Sequence, residues 1–260
     1  GYAENFQYLN YVLPDGPTKT FSNLPGRSAS LAYFGRIGLS YDNKYNVQAN
    51  FRADAFDSSK LAADNRWGYF PSFSAAWTLS NEDFIADNIS RDALSFLKLR
   101  ASWGRNGNVN VLNNYAYATS INFNSNWYEY GMEAAPSYGS MPSGLANPSL
   151  KWETSDQIDL GLDARFLSDR LTFSADYYHK TTKDLLVAIK PIPEIGIAST
   201  IVNGGEIMNK GLEFELGWRD RIGKLNYSIN GNISTLKNEV TYLNPTISRI
   251  LYGSYYVSKI

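Results

Sequence analysis

The sequence of 260 residues predicts an all-β fold, an up-and-down antiparallel sheet. Apolar and polar residues alternate along many segments, and a period of two is the signature of a strand with two different faces. The connections between these segments are alternately short and long, which is the pattern of a meander. No run approaches the roughly 18 apolar residues that a membrane-spanning helix needs.

The segment 45–55, YNVQANFRADA, shows the alternation most clearly. Its odd-numbered positions from Tyr45 to Ala55 are apolar, and its even-numbered positions from Asn46 to Asp54 are polar. The same alternation predicts seven further strands, at 31–41, 67–79, 97–103, 150–166, 171–180, 208–219 and 225–235. Most of these segments are about ten residues or longer, whereas strands of globular proteins average about 5–6 residues.

The connections predict which ends of the strands lie together. Short turns are expected at 42–44, 167–170 and 220–224, and long segments at 57–66, 105–149, 181–206 and from 237 onward. The piece 80–95 is intermediate, and its Asn81–Ile85 stretch predicts one helical turn capped by a polar side chain. If 80–95 is counted as short, all tight turns fall at one end of the sheet and all large loops at the other.

Composition excludes several classes of function. With 24 basic and 25 acidic residues, the chain has no basic excess for nucleic acid or an anionic surface. The absence of cysteine excludes a disulfide framework and a thiolate metal site. His179 is the single histidine, so the chain cannot hold a histidine-cluster metal site. No cofactor and no metal are expected.

The aromatic residues of the apolar face are predicted to gather at both ends of the strands. Those at the long-loop ends are Trp67, Trp103 and Trp152. Those at the short-turn ends are Trp77, Trp218, Tyr41 and Tyr45. Two aromatic girdles around an aliphatic band are typical of a β-barrel in a lipid bilayer. We therefore expect the apolar face to contact lipid, the polar face to line a lumen, the short turns to be periplasmic and the long loops external.

Six segments resemble SusC/RagA-type TonB-dependent outer-membrane transporters of Bacteroidetes. They are YFGRIGLSY at 33–41, DNRWGYFPSFSAAW at 64–77, LKLRASWGRNGN at 97–108, NPSLKWETSDQIDLGLD at 147–163, ADYYHKTTKDLL at 175–186 and NGGEIMNKGLEFEL at 203–216. Their order and approximate spacing are also similar to that family, and the resemblance spans roughly residues 31–260.

The resemblance implies a non-enzymatic function, the import of a nutrient such as an oligosaccharide or peptide across the outer membrane of a Gram-negative, Bacteroidetes-like cell. In that family a 22-stranded, multi-pass barrel is plugged by an N-terminal domain and pairs with a SusD-like surface lipoprotein. The TonB complex energises it through an N-terminal motif. Residues 1–260 are then expected to be eight or nine strands of the barrel domain, with the plug domain and the remaining strands absent.

Two groups of residues are candidates for contact with a glycan or peptide cargo. Trp127, Tyr128 and Tyr130 lie in NFNSNWYEY at 122–130, inside a long predicted external loop, and loops of that length are often functional. Flat aromatic rings beside amides suit stacking on sugar rings; the alternative is that these rings pack the loop onto its neighbours. Arg52 and Asp54 are predicted to face the lumen near the external rim.

Other functions remain as alternatives. Asp156, Asp159 and Asp163 could pair as an acid and base, although a solvated lumen wall explains them better, and no catalytic residue is assigned. A soluble or surface β-protein that binds glycans would bury the apolar faces against each other and be monodisperse without detergent. A β-rich hydrolase would show turnover that one carboxylate substitution abolishes.

The first prediction tests whether the face of Val47, Ala49 and Phe51 contacts lipid. Replacing any of them by Lys or Arg should cost about 2–4 kcal/mol at the middle of the bilayer, because a charge would enter hydrocarbon. The measurement is the fraction of each variant that inserts and folds in the membrane. Variants that insert as well as the unmodified protein would show that this face is not in lipid.

Overall fold

A computed structural model describes residues 29–57, 60–130, 135–142, 144–189, 191, 194, 196, 199–245, 249–252 and 255–258. Its strands are β1 Ser30–Tyr41, β2 Tyr45–Phe56, β3 Trp67–Thr78, β4 Leu94–Asn108, β5 Ile121–Tyr130, β6 Ala135–Pro142, β7 Glu153–Phe166, β8 Leu171–Lys183, β9 Leu186–Ile189, β10 Thr200–Asn203, β11 Gly205–Ile222, β12 Leu225–Ser234, β13 Lys237–Leu243, β14 Arg249–Tyr252 and β15 Tyr255–Ser258. Within these ranges no helix is long and apolar enough to cross a membrane.

The main sheet confirms the predicted up-and-down architecture. Its strands follow the order β1-β2-β3-β4-β7-β8-β11-β12, and every neighbouring pair is antiparallel. These are the eight strands that the alternation predicts. The strand pairs β5–β6, β9–β10 and β14–β15 are separate two-stranded sheets. Among the described residues the main sheet is not closed on itself, and its edges are β1 on one side and β12 with β13 on the other.

The ninth strand of the sheet, β13, continues the edge strand β12. Ser234 of β12 is paired with Glu213, and Lys237 of β13 is paired with Lys210, so the register along β11 is kept across the interruption. It shifts only farther along β13, between Glu206 and Ile207 of β11. At the interruption, the backbone N–H of Thr235 donates to the Leu212 carbonyl at 2.8 Å. The expected count of eight or nine strands therefore corresponds to eight strand positions, the last of them long.

The connection between β3 and β4 contains the predicted helical turn, α1 at Asp83–Ala86. The predicted side-chain cap is wrong, because the N-cap residue Glu82 makes no capping hydrogen bond to this turn. Its carboxylate instead accepts hydrogen bonds from Tyr45 and Trp77. The Glu82 side chain therefore binds aromatic donors on the adjacent strands and does not cap the helical turn.

The two faces of the sheet differ in a way that a soluble sheet does not show. Apolar side chains on one face are open, with Leu39 70% and Ile229 67% exposed. Among the described residues, no second layer of strands or helices packs on this face. A water-soluble antiparallel sheet normally packs its apolar face on a core. We therefore expect the apolar face to be surrounded by an apolar medium and not by water.

A small hydrophobic core lies at the long-loop ends of the strands. It consists of Leu61, Phe70, Val109, Leu112, Leu150, Trp152 and Leu186. Phe70 meets Trp152 edge-on with ring centroids 5.3 Å apart. Gly68 and Gly107 make this contact possible, since a Cβ on either would collide with the Phe70 ring. We call this set the loop core, because it ties the long connections to the sheet.

The position of Trp152 corrects one prediction. It was expected on the apolar face in an aromatic girdle, but it is only 8% exposed inside the loop core. Because β7 begins at Glu153, strand alternation does not govern Trp152. Its indole Nε1–H donates to the Arg66 carbonyl at 3.3 Å, which holds the ring over Phe70.

The loop core generates a prediction about the external loops. Trp152→Ala should remove about 3–5 kcal/mol of packing and make the connections 57–66 and 109–120 susceptible to limited proteolysis in the folded protein. Trp67→Ala is the matched control, since Trp67 is 39% exposed on the other face. Equal protease resistance of both variants would contradict the role of the loop core.

Candidate functional site

The short-turn end of the apolar face carries a line of stacked aromatic rings. The ring centroids of Tyr41 and Tyr45 are 6.4 Å apart, and those of Tyr45 and Trp77 are 6.1 Å apart. Trp218 occupies the same face of β11, in register with Leu171 and Ile229. This arrangement matches the level at which barrel proteins place amphipathic rings, between hydrocarbon and water.

Glu82 fixes this end of the face. Its carboxylate oxygen Oε1 accepts hydrogen bonds from Tyr45 Oη at 2.6 Å and from Trp77 Nε1 at 2.9 Å. The Lys44 ammonium lies 3.4 Å from Oε2. The hydrogen bonds from Tyr45 and Trp77, with the charge of Lys44, hold the pKa of Glu82 below its usual range. An ionised carboxylate therefore orients both rings.

The long-loop end of the apolar face is less regular. Trp67 stacks on Tyr33 with centroids 6.0 Å apart, at the start of β3. Trp103 stacks on Phe73, also at 6.0 Å, but β4 continues from Trp103 to Asn108. The prediction that Trp103 ends its strand is wrong, because the alternation of 97–103 underestimated the length of β4.

Polar side chains mark the end of the apolar band. On β4 the apolar side chains run from Leu97 to Trp103, between Ser95 and Arg105. At about 3.3 Å per residue this stretch measures roughly 20–26 Å along the strand. Outer-membrane barrels present an apolar band roughly 25 Å tall. With strands tilted by about 35–45°, the stretch corresponds to roughly 14–21 Å of height, so the apolar side chains of β4 account for most but not all of such a band.

The upper limit of the band follows a tilted line. The hydrogen-bonded row of Arg105 runs through Asp156, Thr181 and Met208. On β8, however, the first polar residue above the band is His179, two residues nearer the short turns than Thr181. On β11 it is Lys210, two residues nearer the short turns than Met208. A drift of the boundary across the rows is what strands tilted by about 35–45° to a barrel axis produce.

The opposite face, here called the polar face, carries an ion-pair network at its centre. Arg100 donates to both oxygens of Asp163, from Nε at 2.7 Å and from Nη2 at 3.0 Å. Its Nη2 also donates to Asp176 at 3.2 Å, and the Ser174 hydroxyl donates to Asp163 at 2.9 Å. The network joins β4, β7 and β8 across a face that water can reach.

Gly161 allows this network to form. It lies on β7 between Arg100 and Asp176 in one hydrogen-bonded row. A Cβ at this position would collide with Asp176 and lie 2.7 Å from Arg100 Cζ. A residue with a side chain would therefore separate the guanidinium from the second carboxylate.

The carboxylates considered for catalysis act as hydrogen-bond acceptors. Asp156 receives two bonds from Arg105, at 2.7 and 2.9 Å, on the apolar face. On the polar face, Asp159 accepts from Ser102 at 3.1 Å and from Gln157 at 2.7 Å. In the described part of the chain, no group of three or more His, Asp or Glu side chains is placed to hold a metal ion.

The candidate cargo residues of β2 are paired with each other. Arg52 Nε donates to Asp54 Oδ2 at 2.6 Å, and the two side chains are 57% and 18% exposed on the polar face. Phe34 lies opposite Arg52 on β1 and is 81% exposed. Phe34 was not among the residues predicted to contact cargo, although an aromatic residue among polar ones on this face was the available signal.

The candidate aromatic residues of the long connection lie in β5. The backbone of Trp127, Tyr128 and Tyr130 pairs with β6 in a separate hairpin. Their side chains lie outside the described part of the structure. The structure therefore brings Arg52 and Asp54 together, and it describes only the backbone of the three aromatic residues.

An open antiparallel meander with one apolar exposed face and one polar face defines a class of protein, the wall of an outer-membrane β-barrel. The model of the family TonB dependent receptor-like, beta-barrel matches residues 1–257. The chain belongs to this family, whose members are outer-membrane proteins of Gram-negative bacteria and not enzymes.

Relatives agree with this assignment. TonB-dependent receptor P3 of Formosa agariphila is 36% identical over 82% of this chain, and TonB-dependent receptor SusC of Bacteroides thetaiotaomicron is 34% identical over 84%. The chain spans about a fifth of their length, 20% and 21%. A solved structure of the RagAB peptide importer in the closed-closed state shares the fold, with a TM-score of 0.75 and 24% identity over 98% of this chain and 27% of that one.

The network on the polar face generates a prediction about Gly161. Gly161→Ala should leave the receptor about 0.2–1 kcal/mol less stable than Gly38→Ala does, because the added methyl group displaces the flexible ends of Arg100 or Asp176 and weakens a partly exposed ion pair. The measurement is denaturant unfolding in detergent. Gly38→Ala is the matched control, since a Cβ at Gly38 has nothing within 4 Å. Equal stabilities of the two variants would contradict the steric argument.

Proposed function

We propose that the protein containing this chain is a SusC-type TonB-dependent transporter that imports an oligosaccharide or peptide across the outer membrane. The chain supplies about eight strands of the barrel wall and the bases of several external loops. The observation that carries the proposal is a sheet with two different faces. One is apolar and open, with Leu39 and Ile229 exposed, and the other is polar and crossed by the Arg100 network. The relatives named above support the same assignment.

The aromatic residues of the apolar face are part of this proposal. In the bilayer, Tyr41, Tyr45, Trp77 and Trp218 would form the periplasmic girdle, with Glu82 holding two of the rings. Trp67 and Trp103 would lie towards the outer leaflet. Trp152 is left out because it belongs to the loop core.

The cargo is proposed to pass over the polar face. Near the long-loop end, the exposed ring of Phe34 and the pair of Arg52 and Asp54 offer one apolar surface and two charges. Such a set suits sugar rings with hydroxyl groups and also peptide groups, so both classes of cargo are retained. Trp127, Tyr128 and Tyr130 are proposed as further contacts from the external side.

The proposed partners come from the family. A SusD-like surface lipoprotein would close the external side, where the loop core holds the connections in place. The TonB complex would act through parts of the receptor that precede the barrel. The plug domain and the remaining strands of the barrel would come from the same full-length receptor.

The competing function is a soluble or surface β-protein that binds glycans. It would require a layer that covers the apolar face, and Leu39 and Ile229 remain open in the described sheet. Circular dichroism and size-exclusion chromatography in plain buffer distinguish the two, since this alternative predicts a folded, monodisperse species without detergent.

The transport proposal is tested by growth of the source bacterium after deletion of the receptor gene. Growth on one class of glycan or peptide should fail and return with the unmodified gene. Arg52→Ala should reduce uptake of that cargo severalfold at equal receptor levels in the outer membrane. Arg221→Ala is the matched control, because Arg221 lies on the same face at the short-turn end of β11.

Two outcomes would contradict the proposal. One is normal growth of the deletion strain on every glycan and peptide source supplied as the sole nutrient. The other is recovery of the receptor in the soluble fraction. Equal uptake by the Arg52→Ala and Arg221→Ala variants would reject the contact at Arg52 alone.

A further inference from the structure

Three basic side chains lie side by side on the apolar face of the sheet. His179 of β8 is paired with Lys210 of β11, and Lys210 is paired with Lys237 of β13. All three belong to one hydrogen-bonded row, so neighbouring Cβ atoms are about 4.5–5.5 Å apart. On the strands before β8 the same row contains apolar residues, among them Trp103 and Ile158, so the row leaves the apolar band as it crosses the sheet.

Such a row is electrostatically unfavourable without an anion. Like charges directly opposite each other destabilise a strand pair, and Lys210 faces Lys237. Glu239 forms an ion pair with Lys237, with Nζ and Oε2 2.9 Å apart. The nearest acid on β7, Asp156, is already bound by Arg105 through two hydrogen bonds. Further out on this face, Lys183 and Glu206 add one charge of each sign. Taken together, Lys210, Lys237 and Glu239 carry one positive charge in excess, and the imidazole of His179 lies beside it.

The location of the row specifies the kind of anion. His179 and Lys210 are the first polar residues above the apolar band on their strands, at the long-loop end. The side chain of Lys237 is 62% exposed. Side chains just outside the hydrocarbon region meet lipid headgroups, and basic residues at that depth attract anionic lipids. A soluble anion would have no reason to be bound on this face in particular.

We propose that His179, Lys210 and Lys237 bind the phosphate group of an anionic lipid in the outer leaflet. The two ammonium groups supply charge and hydrogen-bond donors, and the imidazole supplies a further donor from β8. The ring of Trp103 and the side chain of Ile158 lie lower in the same row and would contact the acyl chains. The site rests on the proposed membrane setting of this face and is independent of the cargo.

The experiment measures lipid binding to the full-length receptor in a neutral detergent by native mass spectrometry. The probes are diphosphorylated lipid A and the same lipid after enzymatic removal of its phosphates. The unmodified receptor should prefer the phosphorylated lipid. Lys210→Gln should weaken that binding about fivefold, and Lys210→Gln with Lys237→Gln about thirtyfold, since each basic residue near a membrane surface contributes about 1 kcal/mol.

Lys180→Gln is the matched control. Lys180 adjoins His179 on β8 but lies on the polar face, so its loss of charge should leave lipid binding unchanged. Three results would overturn the site: equal binding by the double variant, an equal loss in Lys180→Gln, or equal affinity of the unmodified receptor for both lipids. The comparison of the two lipids uses only the unmodified receptor, so it does not depend on whether a variant folds.

A competition experiment distinguishes binding of a lipid phosphate from binding of free phosphate. Inorganic pyrophosphate at the concentration of the lipid should not compete, and competition would overturn the lipid assignment in favour of a soluble anion. A receptor that imports cargo but shows no preference for phosphorylated lipid would reject this site while leaving the transport function intact.

Discussion

The register of the main sheet is the constraint on which the rest of the structure depends. A strand shows alternate side chains to opposite faces, so a slip of one residue between two strands would exchange their faces. Here one face is apolar and exposed, and the other carries ion pairs. A slip would place charges among the apolar side chains. β12 and β13 illustrate the constraint, because they keep one register along β11 through the interruption at Thr235–Leu236.

The same register explains why the polar face is built from pairs across strands. Arg100 reaches Asp163 on the next strand and Asp176 on the strand beyond it, because all of them lie on one face and Gly161 leaves the space between them open. These carboxylates are partly exposed, so the network contributes less to stability than its distances suggest. Its structural effect is to hold long side chains against the wall, where they would otherwise extend over the polar surface.

The sequence predicted the parts of the structure that depend on alternation. The eight strands and the two faces follow from it, as does the assignment of Tyr45 and Trp77 to the short-turn end. It failed where contacts between distant segments determine the position of a side chain. Trp152 lies one residue before β7, where packing on Phe70 determines its direction. Glu82 looks like a helix cap locally, but Tyr45 and Trp77 hold its carboxylate. Pairings such as Arg100 with Asp176 require the register, which a single sequence does not supply.

The open edges of the sheet show why the chain has to be understood as part of a barrel. The backbone N–H and C=O groups along the outer sides of β1 and of β12 with β13 have no partner strand within the described sheet. In hydrocarbon each unpaired group costs several kcal/mol, so only closed barrels and helices are stable there. The loop core does not depend on lipid for its burial, because Leu61 and Leu150 are completely covered by protein. The wall beneath it is stable in lipid only when both edges are paired, so its stability depends on the neighbouring strands of the full-length receptor.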